Sequence, residues 1–130
     1  MIKANETRIG NWVRYGKRLF RIDTIAPEFP TLNTQEFGIG VVDWNNIHPV
    51  HLTEKWLFCF GFSEMEERTY ELSDFKDGVD LVVKLYKEKT IVTLWSDDPV
   101  HFANPPMKVH QLQNFYFALT GEELEINLND

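Results

Sequence analysis

The sequence predicts an α+β fold in two parts. A small N-terminal β-barrel or curved sheet covers residues 1–50. It packs on a helix, a three-stranded antiparallel meander and a second helix, which together cover residues 51–130. Three observations predict this. Short β-branched and aromatic runs broken by Gly and Pro fill the first part. A strict apolar alternation surrounds Asp77-Gly78. Helical spacing of apolar residues appears in two places, after Thr53 and after Met107. A chain of 130 residues also fits one compact domain in which the two parts share a core.

Residues 8–25, "RIGNWVRYGKRLFRIDTI", read as a β-hairpin with Gly16 in its turn. Ile9, Asn11, Val13 and Tyr15 fall on one face of the first strand, and Arg8, Gly10, Trp12 and Arg14 on the other. The following "APEFPTLNTQEF" reads as a loop because of its two prolines. "FGIGVVDW" reads as a third strand with a bulge or sharp curve at Gly38 and Gly40. "NNIHPVHL" is an extended connection, since Pro49 turns His48 away from helix.

Thr53 is the predicted N-cap of a two-turn helix ending at Gly61, with Leu52 and Leu57 placed as a hydrophobic staple. Residues 67–96 give the meander, whose first turn is Asp77-Gly78. Val79, Leu81, Val83 and Leu85 alternate with Asp80 and Lys84, so one face is buried and the other partly wet. "SDDPVHFANPP" reads as a loop. The last helix starts near Met107 and has a core stripe of Val109, Leu112, Tyr116 and Leu119, with Phe115 beside it. Gly121 ends it, and the tail adds a short strand or frays.

Composition bounds the function. Aromatics make up 14% of the chain, ten of them Phe, which supplies enough apolar area for a core at this size. The single cysteine, Cys59, excludes a disulfide framework and a multi-cysteine zinc site, and its apolar setting predicts an inert thiol. With no signal segment and no apolar run of membrane-spanning length, the reading is a cytoplasmic protein with no membrane partner. The net charge of −7 is uneven: residues 1–22 carry six cations against Glu6 alone, whereas the remainder carries seven cations and nineteen anions.

Three motifs, "RIGNWV", "IHPVHLTEKWLFCFGF" and "VHQLQNFYFALTGEEL", resemble a family of small uncharacterised proteins from Bacteroidetes and their phages or mobile elements. The resemblance implies a cytoplasmic bacterial or phage-related origin and carries no activity or cofactor with it. The middle motif departs from the family at His51, where proline is the commoner residue, which argues against His51 as a shared ligand. The Gly-x-Trp-Val start and the short strands before residue 50 also look SH3-like, and such small barrels bind peptides or nucleic acid, or simply pack.

No constellation points to an enzyme. His48 and His51 flank Pro49 on alternate sides of an extended segment, and neither His101 nor His110 completes a metal-ligand spacing with them. Asp97-Asp98 and Glu64, Glu66 and Glu67 are loop acids without the unlike environments that acid–base work needs. No serine sits in a nucleophile elbow. The reading is therefore a non-enzymatic binding or accessory module without cofactor or metal. It is read as acting through protein–protein contacts, with association with nucleic acid through the basic hairpin as the alternative, and each reading has a candidate surface. His110, Gln113, Asn114 and Phe117 lie off the core stripe of the last helix; they either satisfy buried backbone groups or form a face for a protein partner or a second copy, with Phe117 as anchor. Arg8, Trp12 and Arg14, with Lys17 and Arg18 beyond them, form a basic hairpin suited to phosphates and base stacking. The bland alternative there is a solvated face with Trp12 folded inward.

Overall fold

The computed structural model describes residues 7–24, 31–34, 38–41 and 46–126. The fold is α+β, built on two antiparallel five-stranded sheets, each belonging to its own compact unit. The first unit takes residues up to His51 and then Lys108–Glu123. The second takes Leu52–Met107 and resumes at Leu124. The last helix thus belongs with the N-terminal sheet, whereas the sequence reading joined it to the meander. Among the described residues, no helix is long and apolar enough to cross a membrane.

The first unit holds β1 (Trp12–Tyr15), β2 (Arg18–Thr24), β3 (Thr31–Thr34), β4 (Gly38–Val41) and β5 (Ile47–His48). They lie in the order β4-β3-β2-β1-β5, an open sheet rather than a closed barrel. The β1–β2 hairpin pairs Tyr15 with Arg18 and Trp12 with Arg21. Its turn places Gly16 at φ +63°, a conformation that costs an L side chain about 1–2 kcal/mol. Val13, Ile22 and Ile47 are buried on one face of this sheet. Strand β3 lies inside the stretch read as a loop. In the sequence both prolines, Pro27 and Pro30, come before Thr31, so neither interrupts the strand.

In the second unit α1 (Glu54–Cys59) leads into β6 (Ser63–Glu66), β7 (Thr69–Lys76), β8 (Val79–Leu85), β9 (Thr90–Trp95) and β10 (Val100–Asn104), which lie side by side in sequence order. Thr53 is extended as an N-cap should be, but its side chain makes no capping bond. The helix ends in a Schellman motif: Phe62 N–H donates to Leu57 O and Gly61 N–H to Phe58 O, with Gly61 at φ +95°. Asp77 and Gly78 both have positive φ, 37° and 82°, as a type I′ hairpin turn requires.

The predicted three-stranded meander is therefore the middle of five strands. Both added strands lack an alternating pattern. Every residue of β6 is exposed, so no buried face marks it. Strand β10 sits between Pro99 and Pro105, in a segment whose composition reads as loop. The core gathers Leu57, Phe60, Phe62, Tyr70, Leu81, Val83, Val92 and Met107. Rings meet edge-on where Phe58 reaches Tyr70.

Candidate binding face on the N-terminal hairpin

The final helix, α2 (Val109–Thr120), belongs with β1 in the first unit. Its start is set by Gln111, whose Oε1 accepts from Lys108 N–H at 2.8 Å. Its end is Gly121, in the left-handed region at φ 74°. Val109 and Leu112 of the predicted stripe are fully buried, and Phe115, Tyr116 and Leu119 are half-buried. Tyr116 has its hydroxyl pKa pushed up, by burial first and then by Glu122.

The amides of α2 turn toward the approach to β1. Gln113, 1% exposed, accepts at Oε1 from Trp12 N–H (2.9 Å) and donates from Nε2 to Gly10 O (3.1 Å). One side-chain amide thus serves two backbone groups as a neighbouring strand would. Asn11, fully buried, accepts from Arg8 N–H (2.6 Å) and donates to Asn114 Oδ1 (2.9 Å). The same Asn114 oxygen accepts from Arg8 Nε at 3.0 Å. The Arg8 guanidinium also pairs with the Glu123 carboxylate, reaches Gln113 O at 3.3 Å and lies 4.1 Å from the centre of the Phe117 ring. Gly10 has φ +96°, and a Cβ there would stand 3.5 Å from Glu123 Oε2. Satisfying buried polar groups matters because each one left unpaired costs about 1–3 kcal/mol.

Two surfaces predicted from the sequence are redistributed by this seam. In the helix set, Gln113 and Asn114 face the hairpin, His110 is 2% exposed and Phe117 is 37% exposed. In the hairpin set, Arg8 leaves the group: it precedes β1 and is held by α2. Trp12 and Arg14 share a face, Lys17 is exposed in the turn, and Arg18, exposed but paired with Tyr15, falls on the other face of the sheet and so leaves the predicted set as well.

Register defines the remaining face. Trp12 stands opposite Arg21, Arg14 opposite Leu19, and Arg14 opposite His48 on the other side. Directly paired residues share a face of an antiparallel sheet, so these five side chains lie together, opposite Val13, Ile22 and Ile47. Arg14 and Arg21 are exposed, Leu19 is 45% exposed, and Trp12 and His48 are half-buried. The Arg21 guanidinium lies 5.9 Å from the Trp12 ring centre. Arg14 donates to Gly16 O at 3.0 Å. Among the described residues, no carboxylate pairs with Arg14, Lys17 or Arg21. The sequence reading missed Arg21 and Leu19, although a two-residue turn at Gly16-Lys17 is enough to pair position 12 with position 21.

Charge sharpens the contrast between units. By sequence the first unit holds seven Lys and Arg against seven Asp and Glu, and the second holds six against thirteen, so the net −7 belongs to the second. In the second unit Thr93 Oγ1 and His101 Nδ1 share a hydrogen bond at 2.9 Å. Tyr70 has its pKa raised by burial first and then by Glu54, which accepts its hydrogen bond. In the first unit His51 Nδ1 and Lys108 Nζ lie 2.9 Å apart. Among the described residues no three His, Cys, Asp or Glu side chains gather as metal ligands do. Compared with protein-family models, curated proteins and solved structures, the chain matches none.

Proposed function

We propose that this chain is a non-enzymatic binding or accessory module of the cytoplasm that associates with nucleic acid through the outer face of its N-terminal hairpin. One observation carries the reading. Register gathers Trp12, Arg14, Leu19 and Arg21 on one accessible face, and among the described residues no carboxylate pairs with its cations. Cations beside a ring can hold phosphate while the ring takes a base. An SH3-like reading of the first unit is supported by its strand order, in which β5 returns to the free side of β1. The three sequence motifs support an origin in bacteria or their phages and leave the role to the geometry. A protein partner is the second reading, favoured by the exposed Phe117 and by Ile9, 59% exposed.

The test is binding of a labelled mixed-sequence oligonucleotide at about 20 mM and about 200 mM salt. Releasing counterions from three phosphates gives a slope of about −2 on logarithmic axes, so affinity falls about 100-fold across that range. Arg14→Glu with Lys17→Glu weakens binding at least about tenfold. Binding that ignores salt, or that survives both substitutions, refutes the reading. Displacement by polyglutamate as readily as by unlabelled oligonucleotide transfers the face to an acidic protein partner.

A further inference from the structure

We infer that the outer edge of the second sheet pairs with the same edge of a second copy of this chain. Strand β10 ends the order β10-β9-β8-β7-β6. Val100, His101, Phe102 and Ala103 are all exposed; Val100 is 46% exposed, and Phe102, which also interacts within the chain, is 39% exposed. An end strand offers its N–H and C=O groups to a further strand unless something blunts it. Strand β6, at the opposite end, is blunted: it carries Glu64 and Glu66, and its pairing with β7 shifts register between them. Strand β10 has neither device. Its sequence, VHFAN, holds no Lys, Arg, Asp or Glu, and its five pairs with β9 run in unbroken register.

Symmetry selects the occupant. Pro99 and Pro105 each lie three residues from Phe102, and proline cannot donate to a ladder. Antiparallel pairing about a two-fold axis at Phe102 uses all five positions between them in both copies. Phe102 then faces Phe102 of the second copy, and His101 faces Ala103. Outward backbone groups recur at every second residue, and this axis pairs even positions with even and odd with odd, so donors meet acceptors. The contact is isologous and closes at two copies. Apolar surface is continued by it. Val100 and Phe102 share a sheet face with Leu94 and Val92, and through them with Leu81 and Val83; Val92, Leu81 and Val83 are fully buried. Charge fits as well. The second unit holds thirteen acids against six cations, so two copies tolerate contact best along an uncharged strand. The axis keeps Asp98 of one copy about 27 Å along the strands from Asp98 of the other, well beyond a screening length of about 8 Å.

The experiment measures mass and register. A five-residue edge is smaller than a stable interface needs, so wild type is followed by sedimentation equilibrium from about 5 to about 500 µM. Its weight-average mass rises from 15.3 kDa toward twice that value. Ala103→Lys adds a charge to the exposed edge; it raises the dissociation constant at least about tenfold and melts as wild type does at low concentration. Phe102→Cys sets two thiols directly across the axis, where paired Cα atoms are about 4.5–5.5 Å apart and a disulfide can close. Mild oxidation converts it to a covalent dimer. Val100→Cys sets its thiols on positions about 14 Å apart and gives none, and neither does wild type with Cys59 alone. A monomer mass at every concentration overturns the inference, whichever variants fold. So does a mass that climbs past two copies, or a dimer undiminished in Ala103→Lys. A folded Phe102→Cys that cross-links no better than Val100→Cys has the same force.

Discussion

Arg8 and Arg14 belong to the same basic stretch and meet opposite surroundings. Arg8, at the approach to β1, is held by Asn114, Glu123 and the carbonyl of Gln113, with the Phe117 ring beneath it. Arg14, within β1, is exposed, and its guanidinium donates to Gly16 O of its own turn. The amides divide in the same way. Gln113, Asn11 and Asn114 close a polar seam between a helix and a hairpin, while the outward side of the hairpin carries cations and a half-buried ring. A charged or amide side chain therefore says little by its type. Its partners decide whether it holds the fold together or is left to meet another molecule.

The seam gives the largest effect. Gln113→Leu keeps the volume and leaves Gly10 O and Trp12 N–H without their partner. We expect a loss of about 2–4 kcal/mol, read as a fall of roughly 10 °C in thermal midpoint. A midpoint within a degree or two of wild type would remove Gln113 from its structural role. Gly10→Ala sharpens the same side of the comparison with a smaller effect. The space there accommodates a methyl group at ordinary contact distance, so the cost comes from φ +96° alone. About 1–2 kcal/mol is expected, measured by denaturant unfolding, with oligonucleotide affinity per folded molecule unchanged.

Much of the frame was legible in the sequence, and particular residues show why the rest was not. The alternation from Val79 to Leu85, the Asp77-Gly78 turn and the α2 stripe are local patterns, and local geometry suffices to read them. Strands β6 and β10 were not legible as strands: one has no buried face, and the other lies between prolines. Arg8 was assigned to the outer face by continuing the strand's alternation back past Trp12. Past Trp12 the pairing continues irregularly, with Ile22 N–H donating to Asn11 O and Gly10 N–H to Ile22 O, and Gly10 at φ +96° breaks the alternation there. The amides of α2 stood out as polar positions off the stripe, but their partners, Gly10 and Asn11, lie at the other end of the chain. No sequence period connects them. Arg21 was within reach, because the length of the hairpin turn fixes its register.

The division between seam and face is tested most directly by comparing Arg8→Gln with Arg14→Gln. Each is measured twice, by thermal melting and by oligonucleotide titration at low salt. The account predicts a crossed result. Arg8→Gln loses about 1 kcal/mol of stability, since its ion pair is only partly buried, and binds as wild type does once the folded fraction is allowed for. Arg14→Gln melts as wild type does, binds several-fold more weakly and has a salt slope reduced by about 0.7. Arg8→Gln that binds weakly while fully folded, or Arg14→Gln that melts early with its affinity intact, would contradict it.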